Sequence, residues 1–363
     1  MNKSLKLFTI FGITVKVHVT FLLLPAFIGF SLLYAEGGMA ALRGIVLIVI
    51  IFAFVTFHEL SHSLVAKKYK TKVKDITLLP IGGVASMQGR PEKPKQEFLI
   101  AIAGPMFNLV LAAILFYPVY FIIGEGLKGM SIANLGFGSW KAILLYIFWI
   151  NPILAFFNLL PAFPMDGGRA LRAFLAQRLP LAKATRIAVS LGHTFAVIFG
   201  LVGFLAWHPL LIIIAFFIYV AASQEEKQVN LKLMLREFKV KDVLNEKIVS
   251  IKRNTPLTEV LQLSRKTTQG YFPVIDNGAL LGVISLQSLL HAASESLEDK
   301  TAEDIANKNV LKAKPDDNLS SVYDKMASRN QKVVAILKEN KLQGLITIED
   351  IARAYRIEQK DIN

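Results

Sequence analysis

The sequence predicts a mainly α protein in two parts: a polytopic membrane bundle of six spanning helices with a re-entrant β-hairpin, then a soluble α/β unit built from two copies of one motif. Three observations lead there. The chain has only 41 basic and 27 acidic residues among 363, with 53% hydrophobic and a mean hydropathy of +0.48, which is too apolar for one soluble globular protein of this size. The charge is also uneven: residues 1–222 carry 19 Lys+Arg against 7 Asp+Glu, and residues 223–363 carry 22 against 20. Finally, the second part repeats itself at an offset of 62 residues, the mark of a duplicated supersecondary unit.

Six apolar runs, 17–35, 42–66, 97–123, 140–160, 186–206 and 209–222, approach the ~20 residues that a spanning helix needs. Trp207, His208 and Pro209 separate the last two, predicting a tight hairpin; one long helix crossing once is the alternative. The first run starts near Val17 and is as long as a spanning helix, so no cleavable leader is expected. Lysines before the first run (Lys3, Lys6, Lys16), after the second (Lys67, Lys68, Lys70, Lys72, Lys74) and basic residues after the fourth (Arg169, Arg172, Arg178, Lys183, Arg186) all fall on one side. By the positive-inside rule that side is cytoplasmic, which puts both termini and the second part there. Because the basic excess is topogenic, nucleic acid is not an expected partner.

Between the second and third runs, residues 76–87 are apolar, too short to cross and broken by Pro80, Gly82 and Gly83. Irregular backbone at membrane depth is tolerated beside protein or a wet cavity, so this stretch reads as a re-entrant hairpin next to a site; a cytoplasmic strand pair is the alternative. From Glu225 to Phe238 the composition becomes charged, and Leu231, Leu235 and Phe238 at helical spacing predict a connecting helix. In the repeat, Leu257-Thr258-Glu259-Val260 matches Leu319-Ser320-Ser321-Val322, and Gly282-Val283-Ile284-Ser285 matches Gly344-Leu345-Ile346-Thr347. Each copy reads as strand, helix, two strands and helix, with Phe272 to Ile275 and Val333 to Ile336 as buried strands. The expected units are 1–222 for the bundle, 223–239 for the linker, and 240–298 and 299–358 for the two copies.

Within the second apolar run lies His58-Glu59-Leu60-Ser61-His62, an H-E-x-x-H motif. A spacing of four puts both imidazoles on one helix face, where they can chelate one Zn²⁺ with Glu59 as general base. At 1.5 Å per residue, His58 lies ~20 Å below the outer face and about a dozen ångströms from the inner one. Ionisable groups at that depth are costly and mark function. A tetrahedral zinc with an open position needs a third protein ligand. Since the chain has no cysteine, that ligand is sought among carboxylates, and Asp166 stands at the cytoplasmic end of the fourth run, at the depth of His58. The other acids of residues 1–222 apart from Glu59 are Glu36, Asp75, Glu92, Glu97 and Glu125, mostly in expected loops. An N-cap is the other reading of Asp166. Pro161 and Pro164 loosen the chain before it and would leave the Asn158 amide free near the metal.

These residues carry a resemblance. The motif His58 to His62 in a membrane helix, Leu79-Pro80-Ile81-Gly82-Gly83-Val84, Ala103-Gly104-Pro105 and the stretch from Asn158 to Gly168 together resemble the site-2 protease family of intramembrane zinc metalloproteases. The repeat resembles a tandem pair of cystathionine-beta-synthase-type (CBS) domains, as in the archaeal and bacterial branch. The resemblance implies hydrolysis of a peptide bond within or near a transmembrane helix of a membrane-protein substrate. It implies His58, His62 and Asp166 as zinc ligands, Glu59 as catalytic base and Asn158 as a donor to substrate or oxyanion. Gly82 and Gly83 would belong to a strand edge that holds extended substrate.

For the repeat, the resemblance implies an adenine nucleotide in a cleft, with Thr347 and Asp350 among its partners, and a homodimer through these domains. The first copy departs from the pattern, with Ser285 and Ser288 in place of that Thr and Asp. A dimerising module without ligand is the alternative. A competing reading of the whole chain is a CBS-gated ion transporter or channel using the same intramembrane His, Glu and Asp residues; the absence of a repeat among the membrane segments weighs against it. An inactive relative that only binds membrane partners is disfavoured by the intact Glu59.

Overall fold

The computed structural model describes every residue except 1–3, 81, 89–90, 92, 125, 132–135, 245–247, 296–299 and 363. Ile81 of the expected hairpin segment, and Glu92 and Glu125 among the acids considered above, therefore lie outside the described residues. The chain divides into two compact units, residues 1–228 and 229–363.

The first unit opens with two strands, β1 (Ser4–Ile10) and β2 (Ile13–His18), and continues through α1 (Leu23–Glu36), α2 (Gly38–Lys68), β3 (Lys72–Leu79), β4 (Gly82–Gln88), α3 (Pro94–Ile123), α4 (Gly126–Gly129), α5 (Trp140–Leu159), α6 (Asp166–Leu175), α7 (Leu181–Leu205) and α8 (Pro209–Glu237). Six helices among the described residues are long and apolar enough to cross a membrane. Their outer faces carry Phe30, Phe121, Phe204 and Phe216, each at least 70% exposed. Lipid, not water, suits such surfaces, and the protein is a multi-pass membrane protein.

The fifth and sixth spans are separate helices. Trp207 has φ +51° between them, and its left-handed backbone breaks the helix just before Pro209. The sixth helix then runs without interruption to Glu237, so the expected linker helix is its continuation. Long aliphatic side chains on that stretch find a continuous apolar partner, because Leu231, Met234 and Leu235 join the core of the second unit.

The β-hairpin is present, but in a larger sheet than the sequence reading foresaw. Strands β3 and β4 pair antiparallel with Leu79 opposite Gly82, while β3 pairs parallel with β2, Thr14 opposite Asp75 and Val17 opposite Leu78. The order is β1-β2-β3-β4. Ile13, Val15 and Val17 alternate inward and pack with Ile76 and Leu78 on Ile48, Phe52 and Leu60 of α2. Lys16 Nζ donates to Asp75 Oδ2 at 2.5 Å across this sheet. The lysines before the first span are thus partly strand residues.

A buried ion cluster ties three helices together. Arg172 of α6, 2% exposed, donates from Nε to Glu97 Oε1 of α3 at 3.0 Å and through a second nitrogen to the same oxygen. It also donates to Glu225 Oε1 of α8 at 2.6 Å, and its guanidinium lies 4.8 Å from the Phe163 ring centre.

The second unit repeats one topology. Strands β5 (Ile251–Lys252), β6 (Tyr271–Asp276) and β7 (Ala279–Ser285) with α9 (Leu257–Lys266) and α10 (Leu286–Glu295) precede the short α11 (Ala302–Ile305). Then β8 (Leu311–Ala313), α12 (Leu319–Arg329), β9 (Val333–Lys338), β10 (Lys341–Thr347) and α13 (Ile348–Ile362) follow. In each copy the first strand pairs parallel with the second and the second antiparallel with the third. Phe272, Val274 and Ile284 centre one core, and Val334, Ile336 and Ile346 the other.

Replacing Arg172 by Leu leaves Glu97 a buried carboxylate without its guanidinium, and removing one partner of a buried pair costs ~3–5 kcal/mol. The expected outcome is a fall in unfolding midpoint for Arg172→Leu in detergent, larger than for Lys16→Leu on the sheet.

Candidate metal centre

Helix α2 presents His58 and His62 on one face toward α3, 6% and 2% exposed respectively. Their Nε2 atoms are 3.1 Å apart. Asp166 Oδ2 completes a near-equilateral triangle, 3.2 Å from His58 Nε2 and 3.1 Å from His62 Nε2. These three are the only such group of potential metal ligands among the described residues.

The sequence forces Asp166 into place through backbone contact. Met165 is the N-cap and Asp166 the first residue of α6, so the carboxylate enters the first turn, where the helix dipole favours it. A Cβ at Gly167 would stand 2.3 Å from the Leu159 and Leu160 carbonyl oxygens, and one at Gly168 2.4 Å from the Phe163 nitrogen. Only glycine lets α6 seat against the end of α5 this closely. The Phe163-Pro164 peptide is cis, and Phe163 N donates to Ala188 O of α7 at 3.3 Å. Arg169 stands 3.6 Å from the other Asp166 oxygen.

Helix α3 supplies the rest from one face. His62 Nδ1 donates to the Ile100 carbonyl at 2.5 Å, and His58 Nδ1 lies 2.5 Å from Asn108 Oδ1. Each imidazole therefore uses Nδ1 on α3 and turns Nε2 to the shared point. Gly104 fits between these contacts: a Cβ there would lie 2.3 Å from His62 Nε2 and 2.5 Å from His58 Nε2. Those are close to metal-ligand distances, so an alanine methyl would occupy the space that an ion needs. Tetrahedral zinc, with donors ~2.0–2.1 Å away, separates them by about 3.4 Å, near the observed spacing. Two imidazoles and a carboxylate are the nitrogen and oxygen donors that zinc accepts.

Glu59 follows His58 on α2 and is half-buried. It faces β4, since a Cβ on Gly83 would meet its Cγ at 2.7 Å. Gly82 has φ +136°, a conformation that favours glycine, with open space around it. Strand β4 is a sheet edge, and Val84 is 51% exposed on it.

Two rival acids are committed elsewhere, Glu97 to Arg172 and Asp75 to Lys16. The Asn158 amide, expected to be free, has one donor engaged. Helix α5 stays regular to Leu159, so Asn158 Nδ2 reaches back to the Leu154 carbonyl at 3.0 Å, the local bond that Asn makes when a turn is intact. Sequence reasoning also missed Asn108 and its neighbour Asn151, both 0% exposed; a buried amide inside an apolar run was the available signal.

In the second unit, Asp350 Oδ2 accepts from Thr347 N at 2.9 Å and from Thr347 Oγ1 at 2.7 Å, while Thr347 Oγ1 accepts from Asp350 N at 3.1 Å. This is a reciprocal cap at the start of α13. In the first copy Ser285 Oγ accepts from Ser288 N at 3.0 Å, and the two hydroxyls are 2.8 Å apart. The cap survives there without the carboxylate.

Comparison with known proteins adds to this geometry. The profile of peptidase family M50 matches residues 46–199, and the CBS domain profile matches 240–295 and 302–357. A zinc metalloprotease of Methanocaldococcus jannaschii, MJ0392, is 34% identical over 358 residues, 98% of this chain and 97% of that protein. The chain belongs to peptidase family M50. It is a site-2-type metalloprotease with tandem CBS domains. Stage IV sporulation protein FB of Bacillus subtilis is 27% identical across 80% of this chain and 94% of its own length. The solved Site-2 Protease from Methanocaldococcus jannaschii is 36% identical, with 61% of this chain and 95% of that chain covered at a TM-score of 0.46.

Gly104→Ala should drop zinc from about one ion per chain to background, read by elemental mass spectrometry on purified protein, while Ala103→Gly on the same helix keeps it.

Proposed function

We propose that this M50 protein hydrolyses peptide bonds within or near the transmembrane helices of membrane-protein substrates, using one zinc held by His58, His62 and Asp166. The observation that carries this reading is the triangle of three donors 3.1–3.2 Å apart inside an apolar bundle. Bound zinc would polarise the scissile carbonyl and acidify the attacking water. Glu59 would take the proton of that water and return it to the leaving amine. The nearness of Glu59 to Gly83 supports a role for β4: an extended substrate segment added to this edge would present its amide beside the general base. A helical substrate must unwind for that, because its amides are otherwise spent within the helix. Asn158, released from Leu154, would serve as a donor to substrate. The lysine clusters support cytoplasmic termini and cytoplasmic CBS domains.

The proposed division is 1–222 for the protease, 223–239 for the link, and 240–298 and 299–358 for the CBS copies. An adenine nucleotide would bind this pair and regulate cleavage, with Thr347 and Asp350 at the second copy; dimerisation through the same domains is part of this reading. The carboxylate of Asp350 and its absence from the first copy support unequal clefts.

The direct test is cleavage of a tagged membrane-spanning substrate by purified protein. Glu59→Gln is expected to retain zinc and to lose at least about 10²-fold in kcat/KM, the contribution of a general base. Equal cleavage by both proteins contradicts the assignment. Gly83→Leu, which intrudes on Glu59 and on the edge strand, is expected to abolish cleavage with zinc content unchanged; undiminished product would rule out a substrate strand on β4.

A further inference from the structure

Asn108 on α3 and Asn151 on α5 are both 0% exposed within helices of spanning length. An amide buried in an apolar interior costs free energy unless every polar atom is paired, and a leucine would fill similar space without that cost. The pairing of these two amides has a direction. Asn151 Nδ2 lies 2.9 Å from the Ile147 carbonyl, which can only accept, so this nitrogen donates and Asn151 Oδ1 is left as an acceptor. Asn108 Nδ2 donates to that oxygen at 2.8 Å, leaving Asn108 Oδ1 as the acceptor that faces His58 Nδ1 at 2.5 Å. The imidazole must then carry its proton on Nδ1, and its Nε2 lone pair is free toward Asp166 and His62. A backbone carbonyl on α5 thereby sets the tautomer of a side chain on α2, through two neutral amides.

We propose that Asn108, aligned by Asn151, is a positioning residue of the metal centre that locks His58 in the metal-binding tautomer. This rests on the zinc reading of His58, His62 and Asp166. The ring nitrogen of a ligating histidine that does not face the metal usually donates to a carboxylate, carbonyl or water; here a neutral amide does this work, so the relay adds no charge of its own to the buried centre. His62 is served separately by the Ile100 carbonyl, so the two ligands are oriented by independent devices, and only one of them is open to side-chain substitution.

The test is zinc affinity of the full-length protein in detergent, measured by competition with a chromophoric chelator. The unfolding midpoint of each metal-free form serves as the folding control. Asn108→Leu is expected to raise the zinc Kd by ~10–100-fold, the usual effect of losing such a partner. Asn151→Leu, which touches no ligand, should raise it less. Asn108→Asp keeps an oxygen acceptor for Nδ1 but sets its second oxygen against Asn151 Oδ1, and should bind zinc more tightly than Asn108→Leu without exceeding wild type. The visible spectrum of the Co²⁺-loaded protein should differ from wild type for Asn108→Leu and stay closer to it for Asn108→Asp. A folded Asn108→Leu protein with wild-type zinc affinity overturns the proposal. Should that variant fail to fold, wild-type affinity in Asn151→Leu overturns it equally. Absence of zinc binding by wild type would instead refute the metal reading beneath it.

Discussion

The Nε2 atoms of His58 and His62 and the Oδ2 atom of Asp166 stand within 3.2 Å of one another in a bundle whose surroundings offer almost no polar compensation. Such a cluster is tolerable only where each remaining donor and acceptor is paired, and the helices are arranged to do that. One face of α3 meets most of the demand, with Glu97, the Ile100 carbonyl, Gly104 and Asn108 recurring at helical spacing. Glu97 anchors α6 through Arg172, Ile100 and Asn108 fix the two imidazoles, and Gly104 leaves the space into which their lone pairs point. Four positions on α3 thus answer to one site.

The position of α6 follows from the same constraint. Asp166 must reach His58 and His62 of α2, and the chain gets there by closing tightly after α5. Gly167 allows backbone to touch backbone at Leu159 and Leu160, and Gly168 and Gly192 do so at Phe163. The sheet has a comparable task. By pairing with β2, the β3–β4 hairpin gains a framework that a lone hairpin lacks, and Gly83 brings its edge against Glu59. The proposed catalytic base and the candidate substrate strand are therefore held by separate elements that meet where cleavage is proposed.

Much of this was legible in the sequence because ionisable residues are so rare in apolar runs. His58, Glu59, His62 and Asp166 stand out for that reason, and a 62-residue repeat is visible without any structure. The elements of the second unit keep that offset, with helices beginning at 257 and 319 and strands at 271 and 333. The N-terminal strands were hidden because Lys3, Lys6 and Lys16 read as topogenic charge, although Ile13, Val15 and Val17 alternate as a strand should. Asn108 and Asn151 were hidden for a different reason. A neutral amide barely disturbs hydropathy, and its meaning appears only when α2, α3 and α5 are brought together. One donor of the Asn158 amide is engaged because α5 stays intact through Leu159, where two prolines beyond it suggested a loosened helix.

The central claim is that this buried triangle is a zinc site, and X-ray absorption at the zinc edge of the purified protein tests it most directly. The account predicts a first shell of nitrogen and oxygen at ~2.0–2.1 Å, with outer-shell scattering from two imidazoles that falls to one in His62→Ala. Zinc without imidazole scattering, or a spectrum unchanged by His62→Ala, would contradict it.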